Sequence, residues 1–405
     1  DHPDRLREPM IKKNGKFEVV SWNEAYDLIA SKLTEIKSKY GPDSIAGISS
    51  SRATNEENYL MQKMLRVPIG TNNIDGCARV CHAPTAYGMQ KSFGTGAATN
   101  SIEDLKQTDA IFLFGANPLK GHPVTGAKIK QAFMKGLTSI VVDPIKTKLA
   151  DLATYFLQIR PGTNVAILNM IAHYIVKEGL VNQNFIDTYT EKYIEFKNHV
   201  NNLDMNELEN LTGVSKELVK EAAIAYAKAN RAMEFHGLGV TEHYQGSKTV
   251  MLLSNLAMMT ANIGKNGVGL NPLRGQNNVQ GAADMGVQPH QGAGYLDVSK
   301  PNIQQYYANK YGIEKMPESN GLKVPEMLDA AIDGKLKALY IMGEDTIMTD
   351  PNTNHSIKAF EKLDFIVVQE LFMTATSKMA DVILPASSYF EKNGTFTNGE
   401  RRMQR

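Results

Sequence analysis

The sequence predicts an α/β fold made of parallel sheets covered by helices on both faces. Short apolar runs alternate with longer stretches of helical spacing along the whole chain. The runs and stretches are joined by brief turns bearing Gly or Asn, as in parallel sheets whose crossovers are helices. At 405 residues the chain exceeds what one core ordinarily holds, so two or three domains are expected.

The elements follow in order. After an extended Pro9-Met10-Ile11 and a turn at Lys13-Asn14-Gly15-Lys16, residues 17–20 read as a strand. Ser21-Trp22-Asn23-Glu24 has the form of a capping box and opens a helix that Gly41-Pro42 ends. Residues 44–50 read as a buried parallel strand, and Thr54-Asn55-Glu56-Glu57 opens a helix expected to stop before Pro68. A turn at His82-Ala83-Pro84-Thr85 should lead into a further helix. Strands are then expected at 110–114, 138–142 and 156–159, with helices near 125–135 and 165–178. A helix at 215–229, a strand at 232–235 and a helix at 247–261 come next. Residues 263–294, rich in Gly, Asn and Gln, read as one long polar loop, which in a compact α/β chain suggests function. Alternation resumes with a helix at 325–332 and strands at 338–342, 365–369 and 382–384. Residues 391–402 read as a turn-rich surface segment.

Composition narrows the function classes. Net charge is +1, with 42% hydrophobic and 21% charged residues, so no global field favours nucleic acid or a membrane surface. No run of about 18 apolar residues occurs, so no membrane span is expected. Both cysteines, Cys77 and Cys81, lie in Gly76-Cys77-Ala78-Arg79-Val80-Cys81-His82. Two cysteines are too few for an iron–sulfur cluster or a disulfide framework, which fits a reducing compartment and a cytoplasmic location. A thiol beside an imidazole, with Arg79 two residues upstream, is a place where a thiolate would be stabilised. The same stretch equally suits a buried structural thiol with a satisfied histidine. Several expected strands end in small or polar residues: Gly115 and Asn117, Asp143, Gly162 and Asn164, Gly237 and Gly239, and Met342-Gly343-Glu344-Asp345. Ligands bind outside such strand ends, and together they suggest a large nucleotide-type ligand. No Walker sequence and no full dinucleotide fingerprint is present. Arg274, in the amide-rich Arg274-Gly275-Gln276-Asn277-Asn278, has no acid near it in sequence and could hold a carboxylate through two parallel hydrogen bonds. His236, His243 and His290 lack metal-ligand spacing and read as structural or surface residues.

These motifs together resemble the catalytic subunit of molybdenum- or tungsten-dependent formate dehydrogenases, within the molybdopterin oxidoreductase family. The resemblance rests on Cys77-Ala78-Arg79-Val80-Cys81-His82, Ser92-Phe93-Gly94-Thr95-Gly96-Ala97 and Gly115-Ala116-Asn117-Pro118. It rests further on residues 271–281, on Tyr340-Ile341-Met342-Gly343-Glu344-Asp345, on Ala380-Asp381-Val382-Ile383-Leu384-Pro385 and on the closing residues 393–402. It implies two Rossmann-like α/β/α domains of the formate dehydrogenase/DMSO reductase fold, one inserted in the other. Residues 1–76 and 277–388 would form the discontinuous domain, and 77–276 the inserted one. Residues 389–405 would be a remnant of an iron–sulfur-bearing domain.

The resemblance also implies roles. Cys81 matches the protein ligand of a Mo or W ion held by two molybdopterin guanine dinucleotides, His82 a histidine that accepts or relays a proton, and Arg274 the residue that orients formate. Hydride and proton transfer both stay open. Arg79, Gly115, Asn117, Asp143, Gly162, Asn164, Gly237, Gly239, Gly275, Gln276, Asn277, Met342, Gly343, Asp345, Gln369 and Thr374 become candidates for dinucleotide contacts. The cysteine-rich segment that binds a [4Fe-4S] cluster in the family, and its C-terminal cap domain, are not in these residues. The cluster is therefore expected only in a full-length protein, with iron–sulfur or flavin proteins as electron-transfer partners. The alternatives are another member of the family, such as a nitrate reductase, or a cofactor-free scaffold.

Overall fold

The computed structural model describes residues 2–405, which fall into two compact units. The first takes the chain up to Val80, then Gln276–Asn398 and Met403–Arg405; the second takes Cys81–Gly275 and Gly399–Arg402.

The first unit starts with an antiparallel hairpin, β1 (Met10–Lys13) and β2 (Lys16–Val19), turned by Asn14 and Gly15 at φ 51° and 79°. Ser21 caps the helix Trp22–Tyr40 by accepting from the Glu24 N–H. The reciprocal arm of the expected box is not made, because the Glu24 carboxylate instead meets Lys13 Nζ at 3.2 Å. β3 (Ile45–Ser49) is buried along its whole length. Thr54 and Glu57 make both arms of their box ahead of the helix Asn55–Met64. That helix does not stop before Pro68. It widens into a π turn, Leu65–Ile69, where the Gly70 N–H reaches the Leu65 carbonyl at 2.8 Å and the wider ring spans the N–H that proline lacks. β4 (Ile74–Gly76) pairs parallel with β3.

The second unit carries β5 (Ala110–Phe114), β6 (Thr138–Val142), β7 (Tyr155–Leu157), β8 (Ala232–His236) and β9 (Gly269–Pro272). All pairs are parallel, in the order β7-β6-β5-β8-β9. On one face the almost wholly buried helix Asn164–Lys177 joins Ile140, Val142, Leu157 and Tyr226 in one core. On the other, Ile129 and Phe133 of the helix Pro123–Met134 pack with Ile111, Leu113 and Phe235. Each such side chain contributes ~1.5–3 kcal/mol of apolar burial. The expected loop at 263–294 is interrupted by β9 and by the helix Val279–Asp284. β9 gives no periodic signal because it is a four-residue edge strand with Gly269 at φ 107° and a proline, which an edge tolerates.

The chain returns to the first unit with β10 (Ala338–Met342), β11 (Phe365–Glu370) and β12 (Val382–Pro385), giving the order β2-β1-β12-β11-β10-β3-β4. Only the hairpin side is antiparallel. β13 (Phe396–Thr397) and β14 (Met403–Gln404) form a small ribbon. The segment expected to be surface turns is thus anchored. The Thr397 N–H donates to Asn278 Oδ1 at 2.8 Å, and Asn55 Nδ2 donates to the Thr395 and Thr397 hydroxyls at 3.1 Å. No helix among the described residues is long and apolar enough to cross a membrane.

Candidate active site

Cys81, His82 and Arg274 all belong to the second unit. Cys81 closes the one-turn helix Ala78–Cys81, and the helix Ala83–Phe93 begins two residues later with Pro84 in its first turn. That places the sulfur just ahead of a helix N-terminus, whose partial positive charge favours an anion. Cys81 is 8% exposed. Gly275 lies beside it: a Cβ there would stand 3.4 Å from the Cys81 sulfur, so the missing side chain keeps that flank open.

The Arg274 loop follows β9 and is pinned from three sides. The Leu273 N–H donates to the His236 carbonyl at 2.8 Å. Leu273 O meets His82 Nε2 at 3.1 Å, and Arg274 O meets His122 Nε2 at 2.5 Å. The guanidinium is held through Nη2, which donates to the Gly96 carbonyl at 2.8 Å. Burial, then the charge of Arg274 and the neighbouring His236, hold the His82 imidazole well below its ordinary value, against the opposing pull of the Leu273 carbonyl. Burial and Arg274 likewise push His236 down to about 3. Both rings are neutral near pH 7. His82 Nδ1 lies 3.0 Å from Thr85 Oγ1, which lies 2.9 Å from His236 Nε2. Of the two readings of His236, the surface one fails: the ring is fully buried and stands behind His82.

Gly115, Gly237 and Gly239 come together at the ends of β5 and β8, where the strand order reverses. Their immediate partners are one another. A Cβ on Gly115 would sit 2.7 Å from the Gly239 backbone, and the Gly239 N–H donates to the Gly115 carbonyl at 3.0 Å. Asn164 Nδ2 ties the same loop down through the Gly239 carbonyl at 3.0 Å. Asn117 starts the one-turn helix Pro118–Gly121 at the end of β5. Asp143 uses one oxygen on the Ile145 N–H at 2.8 Å, and burial raises its carboxyl. Gly162 is exposed, at φ 88°, and is not gathered with the others.

The first unit holds a second set. A cleft of about 270 Å³, measured to its open mouth, is lined by Cys77, Arg79, Glu344, Thr346 and Thr349, among others. Cys77 is a thiol: its sulfur donates to Gln276 Oε1 at 2.7 Å and accepts from the Ser51 N–H at 3.2 Å. Arg79 is paired with Asp75 through Nε and Nη2 at 2.7 and 3.2 Å. Burial raises the Glu344 carboxyl, while hydrogen bonds from Thr349 and Cys77 act the other way. Gly343, at φ 63°, follows Met342 and leads into this cleft. Asp345 accepts from the Thr376 N–H and hydroxyl at 3.0 and 2.6 Å. Gln369 accepts from Tyr340, and Thr374 caps the short helix Ala375–Met379. Asn277 is exposed. Sequence reasoning missed Thr85, Gly96 and His122 beside these residues and left His236 open between a structural and a surface place. A usable signal existed for His236, which sits at a strand end beside a glycine.

A family model described as molybdopterin oxidoreductase matches residues 5–405. The chain is 44% identical over 404 residues to formate dehydrogenase H of Escherichia coli strain K12, covering 99% of this chain and 56% of that protein. It is 46% identical over 402 residues to the F420-dependent formate dehydrogenase subunit alpha of Methanocaldococcus jannaschii, covering 99% of this chain and 58% of that one. The chain thus spans little more than half the length of these relatives. Acetylene hydratase from Pelobacter acetylenicus shares the fold at a TM-score of 0.79 and 19% identity, over 99% of this chain and 57% of that chain.

Proposed function

The chain belongs to the molybdopterin oxidoreductase family, and from that premise we propose that it is the central part of a formate dehydrogenase catalytic subunit, oxidising formate to carbon dioxide. The observation that carries this reading is the shared anchoring of Cys81-His82 and the Arg274 loop through the Leu273 carbonyl. One hydrogen bond fixes the residue matching the metal ligand's neighbour against the loop that would bind formate.

The residues fit a Mo or W ion held by two molybdopterin guanine dinucleotides. Among the described residues no cluster of three or more His, Cys, Asp or Glu could hold a metal. An ion at Cys81 would therefore take one protein sulfur and the rest of its ligands from dithiolenes, a soft donor set that suits these metals. When bound, the cofactor would supply the two-electron acceptor. Cys81 would supply the thiolate, with Gly275 leaving room at its flank. Arg274 would receive the formate carboxylate through parallel N–H groups, so that the C–H bond points inward. His82, enclosed beside Cys81, would hold the Arg274 loop in place through its Nε2–H.

The glycine-bearing strand ends of the two units would seat the two dinucleotides, residues 77–276 taking one, and 1–76 with 277–388 the other. Met342, Gly343, Asp345, Gln369 and Thr374 would serve the latter seat, joined by Arg79 and Gln276 from the two ends of residues 77–276. Residues 389–405 would run with an iron–sulfur-bearing domain of the whole protein, whose [4Fe-4S] cluster would pass electrons to iron–sulfur or flavin partner subunits. Two cysteines, too few for a disulfide framework, suit the reducing conditions of the cytoplasm.

The test is metal analysis, pterin fluorescence and formate-dependent dye reduction on the full-length protein. Mo or W with pterin and formate turnover support the reading. Absence of metal and pterin, or turnover of nitrate in place of formate, overturns it.

A further inference from the structure

We propose that Thr85 and His236 are positioning residues that lock the ring orientation and tautomer of His82, through a hydrogen-bond chain running from His236 Nε2 to Thr85 Oγ1 to His82 Nδ1. The role in turnover, though not the chain itself, rests on the formate-oxidising reading above.

The direction of the chain follows from one atom that can only accept. His82 Nε2 faces the backbone carbonyl of Leu273 at 3.1 Å, so Nε2 must carry the hydrogen. In a neutral ring Nδ1 then holds the lone pair. Thr85 Oγ1, 3.0 Å away, therefore donates to it. Having spent its hydrogen, Thr85 Oγ1 accepts from His236 Nε2 at 2.9 Å. This leaves His236 Nδ1 with a lone pair, and that atom is buried without a hydrogen-bond partner among the described residues. The opposite direction would strand an N–H there, and orphaned buried N–H groups are rare. The two rings lie 6.2 Å apart between centroids, with Thr85 bridging them. The lone pair of His82 is thus held at Nδ1, turned toward Thr85, and its Nε2–H clasps the loop that carries Arg274.

The experiment uses ¹⁵N-histidine-labelled full-length protein, the ring nitrogens of His82 and His236 being assigned by difference spectra of variants. In the parent, both should show a protonated Nε2, and His82 Nδ1 should resonate as a hydrogen-bonded lone pair. T85V should shift His82 Nδ1 to the position of an unbonded lone pair, and T85S should restore it. A proton on His82 Nδ1 in the parent, or signals unmoved by T85V in a variant that melts like the parent, would overturn the proposal. In turnover, T85V and H236F should lower kcat about 10- to 100-fold at unchanged KM for formate. H236Q, which keeps an N–H donor in place, and T85S should recover most of it. A parent-like kcat in T85V overturns the positioning role. If the nitrogen signals behave as stated but no protein oxidises formate, the chain stands and the functional reading fails.

Discussion

Two interior strands, one in each unit, end alike and are used differently. β5 and β10 each run into a glycine with positive φ, Gly115 at 56° and Gly343 at 63°. At Gly115 the backbone of the neighbouring strand-end loop closes in, held there by Asn164 through the Gly239 carbonyl. At Gly343 the chain opens onto a cleft lined by Glu344, Thr346 and Thr349. The cysteines divide the same way although both are 8% exposed. Cys77 donates its hydrogen to Gln276 and has the Glu344 carboxyl beside it. Cys81 sits just ahead of a helix N-terminus, whose partial positive charge favours an anion. Burial alone therefore does not rank two thiols; what their neighbours donate and accept does.

The sharpest way to break that contrast is to remove each thiol in turn. C81A in the full-length protein should abolish both metal retention, read by elemental analysis, and formate-dependent dye reduction. C77S should keep the metal and at least about a tenth of the activity, since a hydroxyl can still donate to Gln276. Metal loss in C77S and retention in C81A would reverse the assignment. The next effect in size is at Arg274. R274A should lower kcat/KM for formate by about 10²–10³-fold, the loss expected when one side of a charge-assisted pair is deleted. R274K should recover only part, because an ammonium cannot reproduce the planar fork. Steady-state kinetics over a formate series checks both.

Local chemistry made most of the fold legible. The Thr54 box, the apolar runs of β3, β5, β6 and β10, and the glycine helix ends all act within a few residues of themselves. What stayed hidden depends on distant partners. The Ser21 box lost its second arm to Lys13, across the hairpin. The closing segment looked like surface until Asn278 and Asn55 took its backbone and hydroxyls. In the candidate site Cys81 and Arg274 were visible by composition and resemblance. Thr85 and His236, 151 positions apart, meet only because β8 ends beside the helix Ala83–Phe93. No spacing rule reaches that far.

The buried acids sharpen the contrast in a different variable, pH. Glu344 faces the cleft of the first unit, whereas Glu234 lies in β8 inside the second, its carboxylate taking the Tyr226 hydroxyl. Burial raises Glu234 from 4.5 to about 8. The folded state thus holds this proton more tightly than the unfolded one, so the contribution is complete below about 4.5 and lost as pH rises through about 8. E234Q removes the titration. Its melting temperature should gain on the parent between pH 5 and pH 8, by an amount equivalent to roughly 3 kcal/mol. A constant difference across that range would refute the assignment.

The smallest predicted difference tests the opening comparison directly, by adding one methyl group at each strand end. G115A and G343A share the cost of a non-glycine residue at positive φ, about 1–2 kcal/mol. They differ in what the new Cβ meets. At Gly115 it meets the Gly239 backbone at 2.7 to 2.9 Å, which cannot rotate away and is tied by Asn164. At Gly343 the nearest atom is the Ser50 Cβ at 3.0 Å, so that neighbour must give by only a few tenths of an ångström. Overpacking a rigid contact adds about 1–3 kcal/mol. Chemical denaturation should therefore rank G115A below G343A by about 2 kcal/mol. Dinucleotide retention should rank them the other way, because Gly343 directly precedes Glu344, which lines the open cleft, while G115A strains a junction already closed. Equal destabilisation with equal cofactor loss would mean that both glycines face the ligand, and the distinction between a closed and an open strand end would go.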